Sequence, residues 1–178
     1  MSRELSVSDS VVIRGVAPHA VYAELADPSR MGRWSPENTG TAGPGTGAVL
    51  FAGDVFVGTN RRGRVSWSTR CRVTVAEPGR HFAFRVVQIG VRRPVLTAPI
   101  ATWDYTLAPA ADGTLVTETW RDDRRGWPDL LAALFDRTVT GGRLFADFQR
   151  GNIARTLTAL QADLQADLQA DLDEGPRG

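Results

Sequence analysis

The sequence has no lysine, one cysteine and two histidines among its 178 residues. All 21 basic residues are arginine, which excludes Schiff-base chemistry and enzymes that anchor pyridoxal on a lysine. The single thiol, Cys71, cannot form an internal disulfide and fits a reducing compartment. His19, His81 and Cys71 are too few and too scattered for a zinc site, so we expect neither a metal nor a cofactor.

Long hydrophobic runs and a strong charge bias are also missing. No apolar stretch is long enough to cross a bilayer, and the first residues alternate in polarity instead of forming a signal peptide. We therefore expect a cytoplasmic protein. A net charge of +1 gives no reason to expect a nucleic-acid partner. With an apolar fraction of 42 %, the 178 residues suffice for one domain with a sizeable core.

The hydrophobic pattern predicts an α+β chain that begins with a strand and two short helices. Residues 4–14 alternate in polarity as a strand does. Pro18 suits the first turn of a helix, and Asp27 with Pro28 repeats this arrangement as the cap and first residue of a second short helix. Residues 35–47 are rich in Gly, Pro, Ser and Thr and indicate a loop.

The period then changes to two, which predicts an antiparallel meander of five further strands. We expect these strands near residues 47–58, 64–76, 80–88, 100–108 and 113–121. Residues 122–137 leave the sheet and begin a helical segment. Helical periodicity continues from about residue 138 to residue 172, and the diglycine at 141–142 could bend or interrupt it.

The C-terminal residues repeat the unit QADL and end in "EGPRG". A spacing of four exceeds one helical turn, so successive leucines are displaced by roughly 40° and drift around the helix. We divide the chain into one domain, residues 1–162, and a repetitive helical extension with a disordered end, residues 163–178. This extension either projects without a partner or pairs two chains in a homodimer, and the lack of a heptad spacing favours the first interpretation.

Alternation along the predicted strands separates an apolar face from a polar one. The apolar parity carries most of the aromatic side chains. With one tryptophan after the short helices and one phenylalanine on the long helix, the side chains predicted to line a cavity are Trp34, Phe56, Trp67, Thr69, Phe82, Phe84, Trp103, Tyr105, Val116, Glu118, Trp120 and Phe148. Apolar walls with a few polar groups are typical of a small-molecule pocket, but aromatic residues beneath a helix are also typical of plain core.

Glu118 is the hardest of these residues to explain as core. An unpaired buried carboxylate is costly, so the site must supply a partner, a raised pKa or access to solvent. One interpretation is a structural hydrogen bond, for example with the Tyr105 hydroxyl, or an ion pair with an arginine. The other is a ligand-facing or catalytic role, in which Glu118 and Tyr105 move a proton next to a carbonyl group.

Two glycine- or arginine-rich motifs carry less functional weight. The stretch "GPGTG", residues 43–47, lacks the strand–turn–helix context of a phosphate loop, so we expect an ordinary loop. The turn "NRRGR", residues 60–64, could attract an acidic ligand or a carrier protein. We expect it to be a solvated hairpin instead.

The order of these elements resembles the helix-grip fold of the START-like, or SRPBCC, superfamily, and its bacterial polyketide cyclase/dehydrase-like branch. The resemblance covers about residues 5–162 and is carried by "VYAELADPSRMGRWSPE", "RVSWSTRCRVTVAEPGRHFAFRV", "IATWDYTLAPAADGTLVTETW" and "NIARTLTAL". It implies an α+β fold in which a curved antiparallel sheet of about six strands wraps around a long C-terminal helix. It also implies a hydrophobic ligand cavity between the sheet and that helix.

Three functions remain open. The first is binding of a hydrophobic or aromatic small molecule, lipid-like or polyketide-like, in an internal cavity. The second is a polyketide cyclase, aromatase or dehydratase that uses Glu118 and Tyr105 for acid/base chemistry. Cyclases of this superfamily place an arginine and a tyrosine in the cavity, and we expect such an arginine only from the helix, at Arg143, Arg150 or Arg155. The third is an interaction module that uses the C-terminal helix.

Overall fold

A computed structural model describes residues 4–43, 47–128 and 145–174. These residues contain one antiparallel sheet of seven strands in the order β1-β7-β6-β5-β4-β3-β2. The strands are β1 (Ser6–Arg14), β2 (Asn38–Ala42), β3 (Val55–Arg62), β4 (Val65–Glu77), β5 (His81–Gly90), β6 (Leu96–Ala110) and β7 (Gly113–Asp122). The sheet curls into a half-barrel, so the predicted α+β helix-grip fold is confirmed.

The helices lie at the two ends of the described chain. Their bounds are α1 (Pro18–Ala26), a 3₁₀ turn (Pro28–Arg30), α2 (Met31–Trp34) and α3 (Phe145–Glu174). The Asp27 carboxylate accepts a hydrogen bond of 2.9 Å from the backbone N–H of Ser29, which caps the turn that leads into α2. The long helix α3 packs against β1, β7 and α2, and its apolar face closes the half-barrel.

The core lies between the concave face of the sheet and the helices. Ile13, Phe82, Trp120, Ile153 and Leu160 are fully buried there. Each large apolar side chain that is removed from water in this way contributes about 1.5–3 kcal/mol to folding.

The sheet has one strand more than we expected, at a place where we expected a loop. Residues 38–42 pair with β3 as an edge strand, although their Gly and Thr residues show no hydrophobic alternation. The strand expected at 47–58 is correspondingly shorter at its start. A turn precedes it, because the Phe51 N–H donates to the Asp54 carboxylate at 2.8 Å and Gly53 adopts a φ of +97°.

The QADL repeat continues α3 without a break past residue 162. Leu160 and Leu164 are buried, Leu168 is partly buried against the core, and Leu172 is 67 % exposed. The leucines therefore leave the core one after another, as the spacing of four predicts. The proposed division into a domain and an extension remains a prediction.

Charged residues of the repeat attach α3 to the short helix α2. The guanidinium of Arg33 lies 2.9 Å from the Asp163 carboxylate and 2.8 Å from the Asp167 carboxylate. Asp163 and Asp167, which are four residues apart on α3, thus both form ion pairs with Arg33. The helical residues predicted between 129 and 144 lie outside the described residues, as does the disordered end predicted for 175–178.

Candidate functional site

A cavity of about 130 Å³ lies under the concave face of the sheet. Strands β3 to β7 contribute to its wall, α2 contributes Met31 and Trp34, and α3 contributes Gln149, Asn152 and Thr156. An engineered protein cavity of about 150 Å³ holds one benzene molecule. The space therefore suits a guest with about one ring rather than a long chain.

The residues predicted to line a cavity divide between this cavity and the packed core. Those that line it are Trp34, Phe56, Trp67, Thr69, Phe84, Trp103, Tyr105, Glu118 and Trp120. Phe82 and Val116 are fully buried in the core instead. Helix α1 covers the Phe82 side of the sheet, where the Tyr22 ring meets the Phe82 ring edge-on with centroids 6.2 Å apart. Phe148 contacts the guanidinium of a cavity residue, Arg62, described below.

Glu118 and Tyr105 form a buried pair in the wall of the cavity. They are directly opposite each other on β7 and β6, and the Tyr105 hydroxyl donates a hydrogen bond of 3.0 Å to Glu118 Oε1. Glu118 is 1 % exposed and Tyr105 is 3 % exposed. Strand alternation predicted only that these two side chains face the same side of the sheet. The structure places them in contact.

The environment of this pair keeps both groups protonated near neutral pH. Burial raises the pKa of Glu118 to about 8; the Tyr105 hydrogen bond opposes this shift, and the Asp9 carboxylate adds to it. Burial raises the pKa of Tyr105 well above 10, and the Glu118 charge and hydrogen bond act in the same direction. Glu118 is therefore mainly a neutral carboxylic acid at pH 7 that can donate a hydrogen bond.

Several polar atoms of the cavity wall have no hydrogen-bond partner among the described residues. These atoms are Glu118 Oε2, Trp34 Nε1, Gln149 Oε1 and Asn152 Oδ1. All four side chains are at least nine-tenths buried. An unsatisfied buried polar group costs about 1–3 kcal/mol, and such groups are rare in proteins. Their concentration around one cavity indicates a place for polar atoms of a guest molecule.

A charged pair stands at the partly exposed side of the cavity. Arg62 of β3 donates from Nε to Glu37 Oε1 at 2.6 Å, and the two side chains are 29 % and 18 % exposed. The guanidinium lies 3.7 Å from the centroid of the Phe148 ring and 5.5 Å from that of Trp67. Burial raises the pKa of Glu37, and the Arg62 charge opposes that shift. We call Arg62, Glu37 and Trp67 the mouth of the cavity.

The cavity wall also contains three residues that we did not expect there, Arg62, Gln149 and Asn152, although two features of the sequence indicate them. The alternation that turns Phe56 inward continues through positions 58 and 60 to Arg62. Gln149, Asn152 and Thr156 follow the spacing of three and four that places residues on one side of a helix. The cavity arginine therefore comes from a strand rather than from the helix.

Two of the three helical arginines that we expected to reach the cavity lie at the surface. Arg150 forms ion pairs with Glu4 and Asp147 at the surface, and Arg155 is exposed. Arg143 lies outside the described residues. Arg150 therefore supplies no positive charge to the cavity wall, whereas the charge of Arg155 acts on Glu37, which lines the cavity, and opposes the rise in the pKa of that carboxyl group.

Nucleophilic and metal chemistry find little support in the described part of the chain. The Cys71 thiol lines the cavity, but burial raises its pKa to about 12 despite an opposing contact with Thr69, so it is not a thiolate at neutral pH. In residues 4–43, 47–128 and 145–174, no group of three His, Cys, Asp or Glu side chains could hold a metal ion.

None of the helices formed by the described residues is long and apolar enough to span a membrane.

Comparison with known proteins places this site in a family context. A family model described as polyketide cyclase / dehydrase and lipid transport matches residues 4–165. The solution NMR structure of a Polyketide_cyc-like protein from Corynebacterium glutamicum is 27 % identical, covers 96 % of this chain and 97 % of its own, and has a TM-score of 0.57. No match was found among the curated proteins.

More distant structures share the fold alone. A crystal structure of a protein from Nitrosomonas europaea is 16 % identical, covers 95 % of this chain and 99 % of its own, and has a TM-score of 0.61. One from Mycobacterium smegmatis is 16 % identical over 90 % of each chain, with a TM-score of 0.59. The family match over residues 4–165 confirms the resemblance noted in the sequence: the chain belongs to the polyketide cyclase/dehydrase and lipid transport family.

Proposed function

We propose that the protein binds a small, uncharged aromatic molecule that carries a carbonyl or hydroxyl oxygen. The observation that carries this proposal is the set of buried polar atoms without a described partner in a cavity that is otherwise walled by aromatic rings. A volume of about 130 Å³ favours a guest with one ring. Apolar walls with a few placed polar groups are what small-molecule sites generally use for affinity and orientation.

Each polar group has a role that follows from its chemistry. The Tyr105 hydroxyl holds Glu118 through Oε1, which leaves Oε2 of the protonated acid to donate a hydrogen bond to the guest oxygen. Trp34 Nε1 is a second donor, because an indole nitrogen can only donate. The amide oxygens of Gln149 and Asn152 can accept a hydrogen bond from a hydroxyl group of the guest. A ketone or a phenol thus fits this set of groups.

The charges at the site favour an uncharged guest. Arg62 is the cation among the described residues of the cavity wall, and it is already paired with Glu37. The buried pair of Glu118 and Tyr105 offers no positive charge, so an anion would enter without compensation. Affinity for a neutral ring should therefore exceed affinity for its carboxylate analogue.

Intrinsic fluorescence offers a direct test, because Trp34, Trp67, Trp103 and Trp120 line the cavity. We expect acetophenone and phenol to change the emission and to release or absorb heat in calorimetry. Benzoate, which is similar in size but anionic, should bind at least about tenfold more weakly, the equivalent of about 1.4 kcal/mol. Equal affinities for acetophenone and benzoate would contradict the proposed role of the uncharged site.

A cavity-filling variant makes this test specific to the cavity. Ala101 lines the cavity and is 4 % exposed, so Ala101→Leu should occupy part of the space and abolish binding. Ala154→Leu adds the same atoms at an exposed position of α3 and serves as the matched control. If both variants bind acetophenone as the unmodified protein does, the guest does not occupy this cavity.

The contact between Tyr105 and Glu118 favours a second function, acid/base chemistry on a ketone. A carboxyl group with a pKa of about 8 is partly ionised near neutral pH and can remove a proton next to a carbonyl group. Such proton removal is the step that a cyclase or dehydratase requires, and the family includes polyketide cyclases and dehydrases. The small cavity favours a substrate part of one ring rather than an enclosed poly-β-ketone chain.

Deuterium exchange separates the two functions. If the protein acts on the ketone, it should speed exchange of the methyl protons of acetophenone in D₂O, as followed by NMR. Glu118→Gln should abolish this exchange while it preserves binding, because an amide can still donate a hydrogen bond. Asp104→Asn, on the convex face of the sheet, is the control. No exchange above the rate without protein would leave binding as the function and remove the enzymatic alternative.

A further inference from the structure

The end of the sheet beside the mouth carries a surface that the proposed ligand site does not use. The β3–β4 turn and the β5–β6 loop lie side by side there, because β4 pairs with both β3 and β5. The Ser68 hydroxyl of β4 donates a hydrogen bond of 3.3 Å to the carbonyl oxygen of Arg92 in the loop. We call Arg61, residues 63–65 and residues 91–96 the hairpin tips.

The hairpin tips expose aliphatic side chains that nothing in the described chain covers. Val65 is 60 % exposed, Val91 and Val95 are each 77 % exposed, and Leu96 is 55 % exposed. Single exposed apolar residues are common in proteins. Four of them on two adjacent turns form a group that would gain free energy by leaving water.

The same tips carry only positive charge. Arg61, Arg64, Arg92 and Arg93 are exposed, and none forms an ion pair with a described residue. The chain contains no Asp or Glu from residue 55 to 76 or from residue 78 to 103. The chain as a whole has a net charge of only +1, so the basic character is concentrated at this end of the sheet.

We propose that the hairpin tips dock the protein on an anionic lipid surface, with the mouth of the cavity next to the bilayer. Arginines interspersed with aliphatic side chains can bind acidic headgroups while the aliphatic groups enter the interface.

The docked orientation gives the mouth a physical role. Arg62 at the end of β3 and Trp67 of β4 belong to the mouth and are neighbours of the tips along their own strands. A hydrophobic guest could therefore pass between the bilayer and the cavity without crossing much water. The docking itself needs no guest, so it can be tested apart from the proposed function.

Vesicle sedimentation of the full-length protein tests the docking. At low salt, we expect the protein to sediment with vesicles that contain phosphatidylglycerol and phosphatidylcholine in equal parts, and not with phosphatidylcholine alone. Arg64→Gln with Arg93→Gln should lower the partition coefficient roughly 25-fold, since each basic residue near an anionic surface gives about a fivefold gain. Arg70→Gln with Arg72→Gln removes the same charge from exposed positions of β4 outside the tips and should have little effect.

An apolar pair of variants tests the second component of the surface. Val91→Ser with Val95→Ser should weaken sedimentation and increase its sensitivity to salt. The control is Phe51→Ser, which removes a side chain that is 70 % exposed in the turn before β3, at the opposite end of the sheet. Near-ultraviolet circular dichroism of each variant establishes that the fold is retained.

Three results would overturn the proposal. One is the absence of sedimentation with phosphatidylglycerol vesicles at low salt. Another is an equal loss of sedimentation in the two arginine double variants, which would mean that only net charge matters. The third is binding to immobilised polyglutamate that depends on the tips, without vesicle binding, since this would indicate an acidic protein as the partner.

Discussion

Two carboxyl groups on neighbouring strands, Glu118 of β7 and Asp104 of β6, are both almost buried, at 1 % and 6 % exposure. Asp104 lies on the convex face, where His81 reaches one oxygen at 3.1 Å and Arg121 reaches the other at 3.2 Å. Glu118 lies on the concave face and has only the Tyr105 hydroxyl, on one oxygen. Its other oxygen has no partner among the described residues.

The difference shows that the sheet supplies a partner to both oxygens of Asp104 on the convex face and to one oxygen of Glu118 on the concave face. Neighbouring strands place a histidine on one oxygen of Asp104 and an arginine on the other. On the concave face, the corresponding space is a cavity, and Glu118 responds with a pKa raised to about 8. We interpret Asp104 as part of the structure and Glu118 as part of a site that a guest completes.

The largest expected effect is on the pH dependence of stability. The pKa of Glu118 rises from an ordinary value of 4.5 to about 8, so between these pH values the unfolded chain releases a proton that the folded protein keeps. The free energy of unfolding therefore falls as the pH rises through this window, by up to roughly 5 kcal/mol. This contribution is fully present below pH 4.5 and is lost by about pH 8.

Urea unfolding at several pH values between 5 and 8 measures this contribution as the difference between the unmodified protein and Glu118→Gln, which has no titrating carboxyl group. The free energy of unfolding should fall less steeply with pH in the variant than in the unmodified protein. The advantage of the unmodified protein over the variant should therefore be largest at low pH and should decrease toward pH 8. Parallel curves for the two proteins would mean that Glu118 titrates alike in the folded and unfolded states.

A smaller effect is expected from Tyr105→Phe. This change removes the hydroxyl that donates to Glu118 Oε1 and leaves a buried carboxyl group without its described partner, at a cost of about 1–3 kcal/mol. It should also raise the pKa of Glu118 further, because the hydrogen bond opposes the effect of burial. A decrease in that pKa, measured by NMR titration, would contradict our description of the pair.

The smallest effect is expected on the convex face. Arg121 is 49 % exposed, so Arg121→Gln should lower the free energy of unfolding by less than about 1 kcal/mol. The loss should shrink further at high salt, which screens exposed charges. A loss as large as that of Tyr105→Phe would remove the contrast between the two faces.

The fold and much of the cavity wall could be predicted because strand alternation is a local property. Trp67, Trp103 and Trp120 share one parity of their strands, and all three line the cavity. The same alternation places Arg62 on the inward side of β3. The arginine-rich composition of residues 60–64 instead indicated a solvated turn, and for Arg62 that expectation was wrong.

Other features depend on tertiary packing and could not be predicted from local patterns. Phe82 shares the inward parity, but it packs against Tyr22 of α1 rather than facing the cavity. Strand β2 pairs with the available edge strand β3, although its residues show no hydrophobic alternation that would predict a strand. The packing of the helices against the sheet likewise decides which polar atoms remain without partners.

The central claim is that the concave face holds a neutral acid that the protein leaves available to a guest. A ¹³C NMR titration of the glutamate carboxyl groups, with Glu118→Gln to assign the signal, tests it most directly. The account predicts a midpoint near pH 8 for Glu118 in the free protein and a higher midpoint when acetophenone accepts its proton in a hydrogen bond. A midpoint near 4.5, unchanged by acetophenone, would contradict the account.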